Sequence, residues 1–233
     1  MSNNYFQFKR FIVRQERCAM KVGTDGCLLG AWANGGQRIL DVGTGTGLIA
    51  LMMAQRFPES HVTGIDIDGE AVCQASENAA ASPFADRVSM AAYDFAAMPA
   101  DAFPQRFDSI VSNPPYYIDA LSSPDPQRTL ARHAVSLTYA ALMQQAARLL
   151  EPGGEVSVVV PAECRQQMES AAALAGLMPT RLGAVRTTER KPVRRYLLAF
   201  ARGDASQVGV ENTEIVIGTS DFVALMRDFY LNL

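Results

Sequence analysis

The run Arg38-Ile39-Leu40-Asp41-Val42-Gly43-Thr44-Gly45-Thr46-Gly47, continued by Leu48-Ile49-Ala50-Leu51-Met52-Met53-Ala54-Gln55-Arg56, decides the fold. Its first five residues read as a strand, and 48–56 read as an apolar helix. Between them, Gly43, Gly45 and Gly47 stand at alternate positions, which lets the backbone turn sharply and come close to a ligand. The helix that follows offers N–H groups at its start that no helical carbonyl can accept from.

Outward from this unit the pattern repeats. His61–Asp66 is a second strand, 70–80 a helix, 87–92 a third strand and Phe107–Ser112 a fourth. Over 137–150, Leu142, Met143, Ala146, Leu149 and Leu150 recur at helical spacing. Glu151-Pro152-Gly153-Gly154 then predicts a turn. The continuous run 155–160 (EVSVVV) predicts a strand buried on both faces, and 196–200 a late strand. Strands alternating with helices imply right-handed βαβ units, hence an α/β, doubly wound, mostly parallel, Rossmann-like sheet. Ligands of such sheets lie beyond the carboxyl ends of the strands. The expected organisation is one domain over 1–233: an N-terminal extension (1–37), the Rossmann-like core (38–202) and a C-terminal appendage (203–233).

Composition narrows the class. With 48% hydrophobic and 19% charged residues in 233, a full core is available and global disorder is excluded. There is no membrane-spanning apolar run, and the start MSNNYFQFKR lacks a signal core, so a cytoplasmic location is expected. Cys18, Cys27, Cys73 and Cys164 form no CxxC pair and read as buried reduced thiols. His61 and His133 have no ligand-spaced partner, so no metal is expected.

The net charge of −3 hides two basic segments. Segment 9–21 holds Lys9, Arg10, Arg14, Arg17 and Lys21 against one acid, Glu16. Segment 181–195 holds Arg181, Arg186, Arg190, Lys191, Arg194 and Arg195 against Glu189. Local clustering, rather than net charge, governs binding to a polyanion. Equally, each segment reads as an ordinary solvated face.

The loops after the strands carry the chemistry. Asp66 ends the second strand, where a carboxylate can accept both hydroxyls of a ribose. Asp94, past the third strand, can accept from an adenine amino group, with Phe95 beside the ring. After the fourth strand stands Asn113-Pro114-Pro115-Tyr116. Two prolines fix φ twice and remove two donors, leaving rigid carbonyls as acceptors. An amino nitrogen conjugated to a ring is a poor nucleophile, because its lone pair is delocalised. The Asn113 amide oxygen and the Pro114 carbonyl can hold its two hydrogens and aim the lone pair at the methyl group of a sulfonium. Tyr116 adds a flat face for an unstacked base.

The order of these elements — DVGTGTG, the acid in GID, the acid in YDF, then NPPY — resembles class I S-adenosylmethionine (SAM)-dependent methyltransferases acting on amino nitrogens. A glycine loop ending GxG fits SAM better than a pyrophosphate cofactor. The run 19–33 (AMKVGTDGCLLGAWA), the tail 228–231 (DFYL) and the length are similar to bacterial tRNA1(Val) N6-adenosine methyltransferases. That resemblance implies a seven-stranded sheet with an antiparallel final hairpin. It implies a target adenosine just 3′ of the anticodon, and 21–26 lying over the methionine end of SAM with Thr24 contacting its carboxylate. The implied cofactor set is Lys21, Thr24, Asp41, Gly43, Gly45, Gly47, Asp66, Ile67, Asp94, Phe95 and Asn113. The catalytic set is Asn113, Pro114, Pro115 and Tyr116.

NPPY does not choose among amino substrates. A protein-glutamine methyltransferase poses the same nucleophilicity problem but usually carries a longer helical N-terminal domain. A guanine-N2 rRNA enzyme and a non-catalytic SAM-binding partner are further readings; the intact NPPY speaks against the last. The basic segments tilt the reading to tRNA, with Arg186, Arg190, Lys191, Arg194, Arg195, Lys9 and Arg10 expected to contact phosphates. No obligate protein partner is expected.

Overall fold

The computed structural model describes residues 3–18, 20–99, 101–115, 137–203 and 209–232. A two-stranded antiparallel hairpin, β1 (Tyr5–Gln7) and β2 (Ile12–Arg14), precedes helix α1 (Thr24–Trp32). The core then runs β3 (Arg38–Val42), α2 (Leu48–Arg56), β4 (His61–Asp66), α3 (Gly69–Ala80), β5 (Val88–Ala92) and β6 (Phe107–Ser112). It continues with α4 (Tyr139–Leu149), β7 (Leu150–Pro161), α5 (Arg165–Leu174), β8 (Leu177–Arg186), β9 (Arg195–Arg202), β10 (Glu211–Val216) and α6 (Ser220–Met226).

Among the described residues, eight strands form one sheet in the order β10-β8-β9-β7-β6-β3-β4-β5. β9 alone in it is reversed, antiparallel to β7 and β8, and the remaining pairings are parallel. The sheet thus has one strand more than the seven the resemblance implied. The extra strand is β10, drawn from the C-terminal segment, which pairs in parallel with β8 at the sheet edge. Its sequence, ENTEIV, buries only Ile215 fully, so no apolar alternation announces it. A second correction concerns 151–154. These residues belong to β7, where the ladder steps from Phe107↔Leu150 to Ser109↔Glu155, so the extra residues are taken up as a bulge with Gly153 left-handed at φ 79°.

Two clusters pack against the sheet. α1, α2 and α6 cover one face, α4 and α5 the other. Leu48 to Ala54 of α2 are all buried, as expected of a helix apolar all round. α1 reaches it closely because Gly30 has no side chain: a Cβ there would lie 2.9 Å from Cβ and Sδ of Met52. The four cysteines are free, as expected, but Cys73 is exposed on α3. Among the described residues no helix is long and apolar enough to cross a membrane, and no group of three or more His, Cys, Asp or Glu residues could hold a metal ion.

Candidate active site

The carboxyl ends of β3, β4, β5 and β6 open onto a cavity of about 360 Å³. Gly43 and Gly45 line it from the β3 turn, Asp66 and Ile67 from the end of β4, Asp94 and Phe95 from beyond β5, and Asn113, Pro114 and Pro115 from beyond β6. The structure therefore brings most of the expected set into one place.

The glycine turn takes its shape from its backbone. Gly43, Gly45 and Gly47 have φ of 70°, 53° and 81°, a region that side chains disfavour. The N–H groups of Gly43 and Thr44 both donate to the Ile65 carbonyl at 2.9 Å, which ties the turn to β4. A Cβ on Gly43 or Gly45 would meet nothing within 4 Å, so these two glycines face open space. Gly47 caps α2 without any side-chain hydrogen bond.

Two carboxylates hold this loop. Asp66 accepts the Gly45 N–H at 2.9 Å on Oδ2 and the Asp68 N–H at 3.0 Å on Oδ1. Each oxygen keeps a further lone pair for a hydroxyl. Asp41 is fully buried and accepts from Thr44 Oγ1 at 2.6 Å and from the Ala50 N–H at 3.0 Å, both on Oδ2. Its Oδ1 is buried without a hydrogen-bond partner. Burial pushes the Asp41 carboxyl up to about 7, against the two hydrogen bonds that favour its charged form, and nearby Asp66 adds to the rise.

Asp94 is exposed and accepts from the N–H groups of Ala96 and Ala97 at 3.0 and 3.4 Å, so it caps a turn while lining the cavity. Phe95 is buried beside it. Asn113 is half-buried, Pro114 buried and Pro115 exposed. Ser112, just before them, anchors the strand end through a 2.8 Å hydrogen bond from its Oγ to the Val42 carbonyl. Tyr116, the fourth residue of the motif, lies outside the described residues, as does His133.

Lys21 and Thr24 are exposed and do not line the cavity. Thr24 opens α1, and Gly26 packs at Leu48 and Ile49, so this segment sits at the same sheet edge. Cys18 and Met20 do line the cavity, and sequence reasoning missed both. The chain reaches the site there only because the N-terminal segment climbs along α3, with Arg17 paired to Glu77 at 3.0 Å, and nothing local signals that path. Burial and the neighbouring Asp66 and Asp68 push the Cys18 thiol up to about 11, so it stays protonated and is no thiolate nucleophile.

The basic segments part company. The turn 187–194 joins the carboxyl end of β8 to the start of β9, where Arg195 faces Pro161 at the end of β7. It thus stands on the same sheet edge as Asn113. Arg190, Lys191 and Arg194 are exposed there. Arg186 pairs with Glu214 and donates to the Lys191 carbonyl at 2.7 Å, and Arg195 pairs with Asp25 at 2.7 Å. Arg181 is structural, bonded to Glu155 at 2.7 Å and stacked on Trp32. Lys9 and Arg10 lie at the opposite edge, around the C-terminal end of α2 with Gln55, Arg56 and Asp228. Lys9 donates from its N–H to the Phe229 carbonyl at 2.8 Å and from Nζ to the Arg227 carbonyl, while Arg10 lies 5.3 Å from the Phe84 ring. Lys9 and Arg10, two of the residues expected to contact phosphates, thus stand away from the cavity, while Cys18 and Met20 of the same segment line it.

A parallel sheet with one reversed strand, carrying such a loop, defines a class I methyltransferase, and the family model described as a methyltransferase domain matches residues 33–192. More specific relatives match end to end. The tRNA1(Val) (adenine(37)-N6)-methyltransferase of Bacteroides thetaiotaomicron is 44% identical over 239 residues, covering 100% of both chains. That of Tolumonas auensis is 38% identical over 242 residues, covering 100% of this chain and 99% of the other. The chain belongs to the tRNA1(Val) (adenine(37)-N6)-methyltransferase family. Among solved structures, a predicted O-methyltransferase from Agrobacterium tumefaciens shares the fold with a TM-score of 0.68 at 18% identity, covering 90% of this chain and 100% of that one. TrmN from Thermus thermophilus is 26% identical with a TM-score of 0.54, covering 76% of this chain and 47% of that one.

Proposed function

We propose that this protein transfers the methyl group of SAM to the exocyclic N6 of the adenosine just 3′ of the anticodon of tRNA1(Val), in the cytoplasm. One observation carries the reading: the Asn113-Pro114-Pro115 loop and the Asp66–Gly45 pair line one cavity. A nucleoside-binding acid and two acceptors for an amino group are thereby within reach of one another. The end-to-end relatives named for this reaction support the choice of substrate.

The residues present fit the cofactor. Asp66 keeps lone pairs for ribose hydroxyls, and Gly43 and Gly45 leave open space above the turn; Asp41 is fully buried and lies behind the cavity lining. Ile67, Asp94 and Phe95 would frame the adenine, with Lys21 and Thr24 toward the methionine end. When bound, SAM supplies a methyl group already activated by its sulfonium. The chain's own work is positioning. The Asn113 amide oxygen and the Pro114 carbonyl accept the two N6 hydrogens and draw the nitrogen from planar toward tetrahedral, freeing its lone pair. Pro115 keeps that backbone rigid. The target adenine must leave its stack, and Tyr116 would offer the replacement face. Arg190, Lys191 and Arg194, with Arg186 and Arg195 beside them, would hold the neighbouring phosphates.

Tritiated SAM incubated with total tRNA from a strain lacking the enzyme, followed by nucleoside analysis, tests the reading. Label in N6-methyladenosine is the expected result. Label in N2-methylguanosine, or in protein glutamine with none in tRNA, overturns it.

A further inference from the structure

Beyond the basic turn, the same sheet edge holds a second feature that the sequence did not single out. Arg165 opens α5, just past the carboxyl end of β7, and its guanidinium lies 4.7 Å from the centroid of the Tyr196 ring on β9. Its Nε donates to Glu169 at 2.7 Å, which fixes the plane of the fork. The Arg165 side chain keeps 38% of its surface exposed. Tyr196 is two strands from Ser112, about 10 Å across the sheet. Leu137, which lines the cofactor cavity, packs against the same cluster as Tyr196, so cavity rim and ring share one face of the sheet.

We propose that Arg165, lying over the Tyr196 ring, is a platform on which a nucleobase flanking the target adenosine stacks; this rests on the tRNA reading above. Charge argues for a base rather than a phosphate. Glu169 already neutralises the guanidinium, so an incoming phosphate would meet a carboxylate 2.7 Å from Arg165 Nε. A base face meets no such repulsion, and guanidinium planes and aromatic rings are the surfaces on which unpaired bases stack. Arg165 would act as a positioning residue for the RNA, not on the reacting atoms.

The test is steady-state methylation of the tRNA by Arg165→Ala, Arg165→Lys and Glu169→Gln, with SAM affinity measured by calorimetry. Loss of one stacking contact should raise the KM for tRNA roughly ten-fold in Arg165→Ala. Arg165→Lys, which keeps the charge but not the plane, should behave like the alanine variant. In both, kcat, SAM affinity and the salt dependence of tRNA binding should stay at wild-type values. Glu169→Gln keeps an acceptor for the fork and should leave KM unchanged. Full rescue by lysine, a shallower salt dependence in Arg165→Ala, or an equal defect in Glu169→Gln overturns the platform. An unchanged KM in Arg165→Ala with an active wild type also overturns it and leaves the tRNA reading standing. A wild type that does not methylate tRNA overturns the tRNA reading itself.

Discussion

The two edges of the sheet are built from similar residues and do different work. At the carboxyl edge, polar groups are left with spare capacity: Asp66 retains lone pairs, Asp41 Oδ1 has no partner, and Arg190, Lys191 and Arg194 are exposed. At the amino edge several polar groups are tied into the fold. Lys9 donates twice to the C-terminal segment, Gln55 donates to the Asp228 carbonyl at 2.8 Å, and Arg56 donates to the carbonyls of Gly30 and Ala33 at 3.0 and 2.6 Å. Those last two bonds satisfy carbonyls at the end of α1 that no helical N–H can reach. A cluster of basic residues is therefore no more than a candidate surface until it is known whether its donors already have carbonyl partners.

The contrast should be largest in turnover. If Asn113 accepts from the amino group as proposed, Asn113→Ala removes that acceptor, so kcat should fall roughly 100-fold or more while SAM affinity changes only a few-fold. Gln55→Ala, at the amino edge, should leave kcat unchanged and lower only thermal stability. Single-turnover assays with both variants measure this, and a near-normal rate for Asn113→Ala would remove the loop from the chemistry.

Next in size is cofactor affinity. Asp66→Ala should weaken SAM binding by about 1.5–3 kcal/mol, the scale of a charge-assisted hydrogen bond, as read by calorimetry. An unchanged affinity would mean that the ribose is held elsewhere.

A smaller effect separates the buried acid from the exposed ones. The folded-state pKa of Asp41 is raised to about 7, above the ordinary carboxylate value. Its contribution to stability is thus present at low pH and is lost as pH rises through about 7. Asp41→Asn cannot ionise, so without cofactor its melting temperature should gain on the wild type between pH 5 and pH 8. Parallel melting curves across that range would show that Asp41 does not titrate there.

Much of this was legible from sequence because the informative residues are local. The strands 38–42, 61–66 and 107–112, the glycine turn, and the acids ending β4 and following β5 sit where pattern and punctuation placed them. What escaped depends on contacts between distant segments. β8 (LMPTRLGAVR) carries Pro179 and Gly183 and no apolar run, and β10 is almost wholly polar. Gly26 and Gly30 look like helix breakers, yet Gly30 makes the α1–α2 approach possible. Lys9 and Arg10 resemble Arg190 and Lys191 in composition. Only the pairing of the C-terminal segment with the N-terminal hairpin separates them.

On the proposed tRNA reading, phosphates engage Arg190 and Lys191 and not Lys9 and Arg10. Filter binding of tRNA across salt concentrations compares wild type with Arg190→Glu/Lys191→Glu and with Lys9→Glu/Arg10→Glu. Each phosphate contact contributes about 0.7–0.9 to the slope of log K against log salt. The first double variant should flatten the slope by about one to two units with SAM affinity unchanged, and the second should keep the wild-type slope. Equal flattening by both variants, or flattening by the Lys9 and Arg10 reversals alone, would contradict it.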